Sequence, residues 1–190
     1  MTRIAIIVGS TRPGRNGAAV ADWVLAGAQG RTAAEYALLD LADFDLPVLD
    51  EPIPASMGQY SQEHTKKFAS AVEGFDGFVF VTPEYNHATS GALKNAVDFL
   101  YAEWNNKAAA FVSYGSAGGV RAVENLRLIA SELQIATVRS QVAFSLATDF
   151  ENYSTFTPAA HHEGNLTILF DQLESWTKAM ENVRREAPAA

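Results

Sequence analysis

Residues 9–17, GSTRPGRNG, combine the residue types that bind anions in proteins. Three glycines let the backbone turn closely, and a helix predicted to begin near Asn16 would direct its free N–H groups into the segment. Arginine can bind a phosphate through two parallel hydrogen bonds, which lysine cannot do. The polar and cationic side chains available are Ser10, Asn16, Arg12 and Arg15. The segment, here named the first loop, therefore predicts a phosphate site, and a solvated basic turn with a helix cap is the alternative.

The spacing within the first loop excludes two common nucleotide-binding motifs. It lacks the Gly-Lys-Ser/Thr ending of the P-loop and the G-x-G-x-x-G of dinucleotide-binding proteins. A nucleoside triphosphatase is therefore not expected, and neither is a dinucleotide held on a glycine fingerprint.

Two further segments have features suited to a flat, polar heterocycle. In residues 82–86, TPEYN, the proline fixes its own φ and Asn86 tolerates unusual dihedral angles. These properties predict a stiff turn with exposed backbone amides at Pro83–Asn86, and a turn with Tyr85 packed inward is the alternative. Residues 113–119, SYGSAGG, are rich in glycine and precede another predicted helix.

Apolar runs alternate with helical patterns along the chain. Most of the apolar runs are continuous rather than alternating, which is typical of strands covered on both faces. The predicted strands are Arg3–Val8, Glu35–Leu41, Gly77–Thr82, Ala108–Tyr114 and Ala136–Phe144. The predicted helices are Asn16–Ala28, Ser61–Glu73, Gly91–Tyr101, Gly119–Leu133 and Glu163 to about Arg185. This order predicts an α/β fold with a doubly wound, five-stranded parallel sheet, as one domain over residues 1–190.

The predicted sheet places the loops relative to one another. In an open parallel sheet, ligands bind outside the carboxyl ends of the strands, where the strand order reverses. The second loop, residues 83–91, and the third loop, residues 115–119, should therefore meet the first loop at one edge. Two long segments, residues 43–60 and 145–162, are interpreted as loops that are either functional or plain surface connections.

The composition narrows the range of functions. The absence of cysteine excludes disulfides, thiolate metal sites and cysteine nucleophiles, and it suits a reducing cytoplasm. A net charge of -8 disfavours nucleic acid as a partner. No run approaches the roughly eighteen apolar residues that span a membrane. No metal site is predicted either, since cysteine is absent and the adjacent His161 and His162 would point apart.

The three loops together resemble those of the NAD(P)H-dependent FMN reductase family, whose fold is flavodoxin-like. GSTRPGRNG is similar to the family's phosphate loop, PEYNHATSGALKNAVDF to its P-E-Y-N signature, and SYGSAGGVRAVENLR to its glycine-rich third loop. The similarity runs from about Thr2 to Arg139.

This resemblance implies a set of residues that bind FMN without a covalent link. The phosphate is expected at Ser10, Arg12, Arg15, Asn16 and Gly17. The isoalloxazine ring is expected against Pro83, Glu84, Tyr85 and Asn86, with Ser113, Tyr114, Gly115, Gly118 and Gly119 on its far edge.

One departure from the family concerns the substrate side of the ring. Family members commonly have a proline before the glycine that starts the helix after the second loop, where this chain has Ser90. Thr89 stands where a larger aromatic residue is frequent. We expect His87 to contact the ring edge or the substrate, and Tyr101 with Trp104 to form a substrate wall or a dimer contact.

The resemblance implies an enzyme in which a nicotinamide, NADPH or NADH, passes a hydride to the bound flavin. Electrons then pass to a small acceptor: a quinone, free flavin, an azo or nitro compound, or a metal oxyanion. No catalytic acid or base is expected, because the cofactor carries the chemistry and backbone amides hold the ring. Family members usually form homo-oligomers, so a homodimer or homotetramer is expected.

Two other functions remain open at this stage. A flavodoxin-type electron carrier would bind FMN but would not oxidise a nicotinamide. The arginines of the first loop favour the enzyme, since flavodoxins usually hold the phosphate with hydroxyls and amides. A sensor or structural protein without flavin could also use this fold.

Overall fold

The computed structural model describes residues 1–186 and contains a five-stranded parallel sheet. The strands of this sheet are β1 (Thr2–Val8), β2 (Ala34–Asp40), β3 (Gly77–Pro83), β4 (Ala108–Gly115) and β5 (Ala136–Ser145). The helices are α1 (Gly17–Gly27), α2 (Glu63–Glu73), α3 (Gly91–Asp98), α4 (Val120–Glu132) and α5 (His161–Glu186). Every boundary of the five predicted strands lies within one residue of the observed one. The order β2-β1-β3-β4-β5 confirms the predicted fold class.

Helices cover both faces of the sheet, which explains the continuous apolar runs of its central strands. Every residue of β3 and β4 is buried. One face packs against α1 and α5 through side chains such as Val20, Val24 and Phe170. The other packs against α2, α3 and α4 through side chains such as Phe68, Leu93 and Leu126. The strands are therefore rigidly held, and their carboxyl ends form a fixed edge.

The strand order reverses at β1, because β2 pairs on one side of β1 and β3 on the other. The chain leaves β1 for α1 on one face and leaves β3 for α3 on the other, so a crevice opens between these two connections. The first and second loops flank this crevice.

Two sequence expectations about the connections need correction. The helix predicted over Gly91–Tyr101 is three residues shorter in the structure, where α3 ends at Asp98. The predicted loop 145–162 contains a short antiparallel hairpin, β6 (Phe150–Glu151) and β7 (Thr155–Phe156). Asn152 and Tyr153, with φ of 51° and 59°, are the central residues of a tight turn in which the Ser154 N–H donates to the Glu151 carbonyl at 3.1 Å.

Within residues 1–186, no helix has the length and apolar character that crossing a membrane would require.

Candidate functional site

The first, second and third loops lie side by side at the carboxyl edge of the sheet. They follow β1, β3 and β4, which are neighbours in the sheet, so their ends are aligned. Val8 pairs with Val81, and Pro83 pairs with Tyr114. The three segments that the sequence singled out therefore share one edge.

Gly9 allows the first loop to lie directly against β3. Its N–H donates to the carbonyl of Val81 at 2.9 Å. A Cβ at this position would lie 2.7 Å from the same carbonyl oxygen and 2.8 Å from the side chain of Leu93. Any larger residue would push the loop away from the sheet.

The beginning of α1 offers an anion several hydrogen-bond donors. Asn16, the residue before the helix, makes no side-chain hydrogen bond to the first turn. Ser10 is 1% exposed, and its hydroxyl lies 3.0 Å from that of Tyr85. Arg12 is exposed, with its guanidinium carbon 5.8 Å from the centre of the Tyr85 ring. The Ser10 hydroxyl and the Arg12 guanidinium thus both lie beside Tyr85, in the loop that leads into the amino end of α1.

Arg15, the second arginine of the first loop, is already paired. It donates to the carboxylate of Asp40 at the end of β2, and its side chain is 19% exposed. The other oxygen of Asp40 accepts the N–H of Ala42 at 3.0 Å. Arg15 would have to leave or share this carboxylate to bind a phosphate, whereas Arg12 would not.

Asn16 connects the first loop to the β6–β7 hairpin. Its side-chain amide donates to the carbonyl of Tyr153, in the hairpin turn, at 3.0 Å. The hairpin therefore borders the candidate phosphate site, which gives the segment 145–162 a place at the site.

The second loop forms a tight turn, but not at the predicted residues. Two backbone hydrogen bonds join Tyr85 and Ala88, and Asn86 and His87 have φ of 50° and 75°. These angles define a type I′ turn. The prediction placed the turn at Pro83–Asn86; Pro83 instead ends β3, and the Glu84 N–H continues the pairing with β4 by donating to the Tyr114 carbonyl.

Glu84 binds to the start of α4. Its carboxylate accepts the N–H of Arg121 at 3.1 Å and forms an ion pair with the Arg121 guanidinium. The Glu84 side chain is 5% exposed. Its charge is thus used to hold the second loop against the helix that follows the third loop.

The third loop is shaped by Ser113 and two glycines. The Ser113 hydroxyl is buried and donates to the carbonyl of Gly118 at 2.7 Å. Gly118 and Gly119 have φ of 70° and 73°, which side chains disfavour. The Ser113 hydroxyl is thus turned into the third loop, and the expectation that residues 113–119 border the ring stays a prediction.

Tyr114 lies beneath the first loop. Its side chain is buried on the face of the sheet that packs against α1. A Cβ on Gly17 would lie 2.8 Å from the Tyr114 hydroxyl, so glycine at the start of α1 makes room for it. Among residues 1–186 this hydroxyl has no hydrogen-bond partner.

The structure separates the three substrate-side candidates. His87 is exposed in the second loop, at the edge of the site. Trp104 is 1% exposed, packs edge-on against Phe78 and donates its ring N–H to the Val97 carbonyl, so its assignment to a substrate wall is wrong.

The Tyr101 hydroxyl accepts a hydrogen bond from the side chain of Gln134, just before β5, so Tyr101 lies at the opposite edge of the sheet. Its assignment to the substrate side is also wrong.

Sequence reasoning missed three residues that shape this edge: Asp40, Arg121 and Tyr153. Asp40 carried a signal, because it ends the strand next to β1 and faces an arginine-containing loop. Arg121 follows the glycine pair that begins α4, and its role depends on Glu84 being buried. Tyr153 contributes its backbone carbonyl, and the identity of a side chain does not predict a backbone contact of this kind.

Within the described residues 1–186, no group of three or more His, Asp or Glu side chains is arranged to hold a metal ion.

The order of the strands and the three loops at their carboxyl edge define a flavodoxin-like fold. Comparison with known families assigns the chain to one of them, because residues 2–149 match the family described as NADPH-dependent FMN reductase. The chain belongs to this family, and it is an oxidoreductase of the type that uses NAD(P)H and FMN.

Individual relatives cover most of the chain. An NAD(P)H-dependent FMN reductase of Nectria sp is 40% identical over 159 residues, 78% of this chain and 79% of that protein. One of Schizosaccharomyces pombe is 38% identical over 175 residues, 90% of this chain and 88% of that protein. The solved structure of FerB, a flavoenzyme NAD(P)H:(acceptor) oxidoreductase from Paracoccus denitrificans, has a TM-score of 0.73 at 21% identity. It covers 95% of this chain and 99% of that one and shares its fold.

Proposed function

We propose that the three loops bind FMN, with its phosphate at the first loop and its isoalloxazine ring against the second and third loops. The observation that carries this proposal is the free N-terminal end of α1 beside Ser10 and Arg12, next to a rigid type I′ turn at the point where the strand order reverses. We take residues 1–190 as a single FMN-binding domain.

The residues of the first loop fit a phosphate. The N–H groups of the first turn of α1 and the Ser10 hydroxyl can donate hydrogen bonds, and Arg12 can add a charge-assisted contact. Asn16 can hold the β6–β7 hairpin beside the same group through Tyr153.

The second and third loops fit the edge of a planar polar ring. Within residues 1–186, the N–H groups of Asn86 and His87 donate to no main-chain carbonyl, so they are available to a ligand. The turn that presents them is held by the Tyr85–Ala88 hydrogen bonds and, through Glu84, by α4. A rigid set of donors can stabilise negative charge on a ring without rearranging.

Bound FMN would accept a hydride from NAD(P)H and then deliver two electrons to a second molecule. The chain's part is to hold the ring, expose one face and bind the charged end of the cofactor. We propose a quinone as the acceptor. It takes up two electrons and two protons to become a hydroquinone, and the proton that the hydride does not supply comes from solvent.

We propose that one face of the ring serves both substrates in turn. The experiment measures initial rates with NADPH at several fixed concentrations of p-benzoquinone. Parallel double-reciprocal lines are expected for alternating occupancy, and intersecting lines would require the nicotinamide and the quinone to bind together.

The absorption spectrum of the purified protein with FMN tests the cofactor and the reaction. A flavin band near about 450 nm that bleaches on anaerobic addition of NADPH is expected. Repeating the addition with NADH compares the two coenzymes. A stable flavin band that neither coenzyme bleaches would favour the flavodoxin-type carrier, and a protein that takes up no flavin would contradict the proposal.

We also propose that the chain acts as a homodimer or homotetramer in the cytoplasm. Large apolar side chains are exposed on its helices, among them Leu128 at 77% and Trp176 at 47%, and such side chains suit a subunit interface. The cysteine-free sequence suits the compartment. Light scattering during size-exclusion chromatography measures the mass, and 20.5 kDa would indicate a monomer.

A further inference from the structure

The Tyr114 side chain presents a buried hydroxyl that the folded chain leaves unpaired. Tyr114 is 5% exposed, and its hydroxyl has no hydrogen-bond partner among the described residues. Buried polar groups are almost always paired, because an unpaired group loses its bonds to water without compensation. A donor left unpaired next to the first loop is available to a ligand bound there.

The hydroxyl points at the amino end of α1. A Cβ on Gly17, the first residue of that helix, would lie 2.8 Å from the Tyr114 oxygen. The hydroxyl is therefore beneath the first helical turn, on the side of the sheet where α1 packs. Its position differs from the sequence expectation, which placed Tyr114 at the ring edge.

The surroundings of the hydroxyl favour an anion. Helix N–H groups carry partial positive charge at this end, and the arginines of the first loop lie nearby. Burial raises the pKa of Tyr114 and the neighbouring Tyr85 raises it further, and these effects outweigh Arg12, Arg15 and the nearby Ser10 hydroxyl, which lower it. The Ser10 hydroxyl does not reach hydrogen-bond geometry with Tyr114, and it lies 3.0 Å from the Tyr85 hydroxyl instead. The hydroxyl consequently keeps its proton at neutral pH and acts as a donor.

We propose that the Tyr114 hydroxyl donates a hydrogen bond to the phosphate of FMN from beneath the first turn of α1. The inference rests on the proposed function, because it takes FMN as the ligand of this edge. It adds a donor from β4 to a phosphate site otherwise built from the first loop. Tyr114 would thereby help to distinguish FMN from riboflavin.

The test compares Tyr114→Phe with Tyr36→Phe as a matched control. Phenylalanine keeps the shape of the ring and removes only the hydroxyl. The Tyr36 hydroxyl donates to Glu174 of α5 at 2.8 Å, so it is already paired within the chain. Each protein is stripped of flavin and titrated with FMN and with riboflavin, and binding is measured by quenching of flavin fluorescence.

For Tyr114→Phe, the dissociation constant for FMN should rise by about tenfold, as expected for one hydrogen bond to a charged group. The constant for riboflavin should change less than about twofold, because riboflavin lacks the phosphate. Tyr36→Phe should change neither constant. Equal weakening of both ligands by Tyr114→Phe would overturn the proposal.

The thermal stability of the flavin-free proteins gives a second readout. Removing an unpaired hydroxyl should leave the Tm of Tyr114→Phe equal to or above that of the wild type, whereas Tyr36→Phe should lower it. A lower Tm for Tyr114→Phe with unchanged preference for FMN would assign the hydroxyl a structural role and overturn the proposal. The ³¹P resonance of bound FMN should move in Tyr114→Phe and stay in place in Tyr36→Phe.

The wild-type titration separates this inference from the proposed function. If the wild type binds FMN more tightly than riboflavin and Tyr114→Phe discriminates equally well, the phosphate site stands and the role of Tyr114 fails. If the wild type binds no flavin, the proposed function fails and the inference fails with it.

Discussion

The carboxylate of Glu84 accepts the backbone N–H of Arg121 at 3.1 Å and pairs with the guanidinium of the same residue. Two segments that are 37 residues apart are thereby joined, the second loop and the first turn of α4. The Glu84 side chain is 5% exposed and is held by Arg121, which indicates a positioning role rather than proton transfer.

Glu84→Gln should therefore keep most of the NADPH oxidation rate and show the same dependence of rate on pH as the wild type. The glutamine oxygen can still accept the Arg121 N–H. Glu84→Ala should lower the stability by about 1–2 kcal/mol, because the start of α4 loses its acceptor. FMN content, Tm and the pH–rate profile are measured for both variants. A Glu84→Gln protein that keeps its FMN but loses activity about a hundredfold would make Glu84 a general acid.

Asn86→Val should weaken FMN binding and activity together. Residue 86 has φ of 50°, and a β-branched side chain fits this region of backbone conformation poorly. The strain is about 1–2 kcal/mol, enough to distort a turn whose amides we propose to hold the ring. Asn86→Gly is the matched control and should bind FMN like the wild type, because glycine adopts positive φ readily. Unchanged FMN affinity in Asn86→Val would show that the shape of the turn does not control binding.

Arg12→Ala should lower the affinity for FMN by roughly one to two powers of ten, given the strength of charge-assisted hydrogen bonds. Arg15→Ala should have a smaller effect, because Arg15 is held by Asp40. Arg185→Ala, at a side chain 70% exposed near the end of α5, controls for the loss of one positive charge. Fluorescence titrations with FMN and riboflavin measure the effects, and riboflavin should bind all four proteins alike. Parallel losses for the two flavins in Arg12→Ala would remove Arg12 from the phosphate site.

His162 should make the fold sensitive to mild acid. His162 is 5% exposed, and its Nε2 lies 3.0 Å from the Asp149 carboxylate. Burial lowers the pKa of His162, and the Asp149 carboxylate raises it by less, so the net shift is downward. The unfolded chain takes up this proton near its ordinary pKa of about 6.5. The stabilising effect is therefore complete above that pH and is lost as the pH falls through the lowered pKa of the folded state.

The Tm of the wild type should accordingly drop between about pH 7.5 and pH 5, and His162→Gln should drop less steeply. The carboxyl group of Asp149 does not contribute to the drop in Tm between these pH values. Burial opposes its ionisation, but hydrogen bonds from Ala159 and Ser145 outweigh burial and lower its pKa, so its effect falls at more acidic pH. His161→Gln, at the exposed neighbour, should keep most of the wild-type slope. Identical slopes in the wild type and His162→Gln would show that another group causes the sensitivity.

The sheet was predictable because its strands are buried on both faces. Residues such as those of β3 must all be apolar or small, so the run in the sequence has the length of the strand. The glycines of the three loops were informative for a related reason. Gly9 and Gly119 stand where the backbone approaches a neighbour too closely for a side chain, and this requirement limits the residue type.

Features that depend on distant contacts could not be predicted. Trp104 is compatible with a surface wall or a core, and only its contacts with Phe78 and Val97 in the folded chain show that it belongs to the core. Arg15 looked free because its partner Asp40 is 25 residues away. The two-residue strands β6 and β7 are too short to give a periodic signal.

The hydrogen bond from Asn16 to Tyr153 joins residues 137 positions apart. A chain is synthesised from its amino end, so the first loop is made long before the hairpin that borders it. The proposed cofactor site therefore combines two segments that are made at widely separated times. Capture of flavin should coincide with the final stage of folding, and a nascent chain still lacking the hairpin should release FMN far faster than the finished protein.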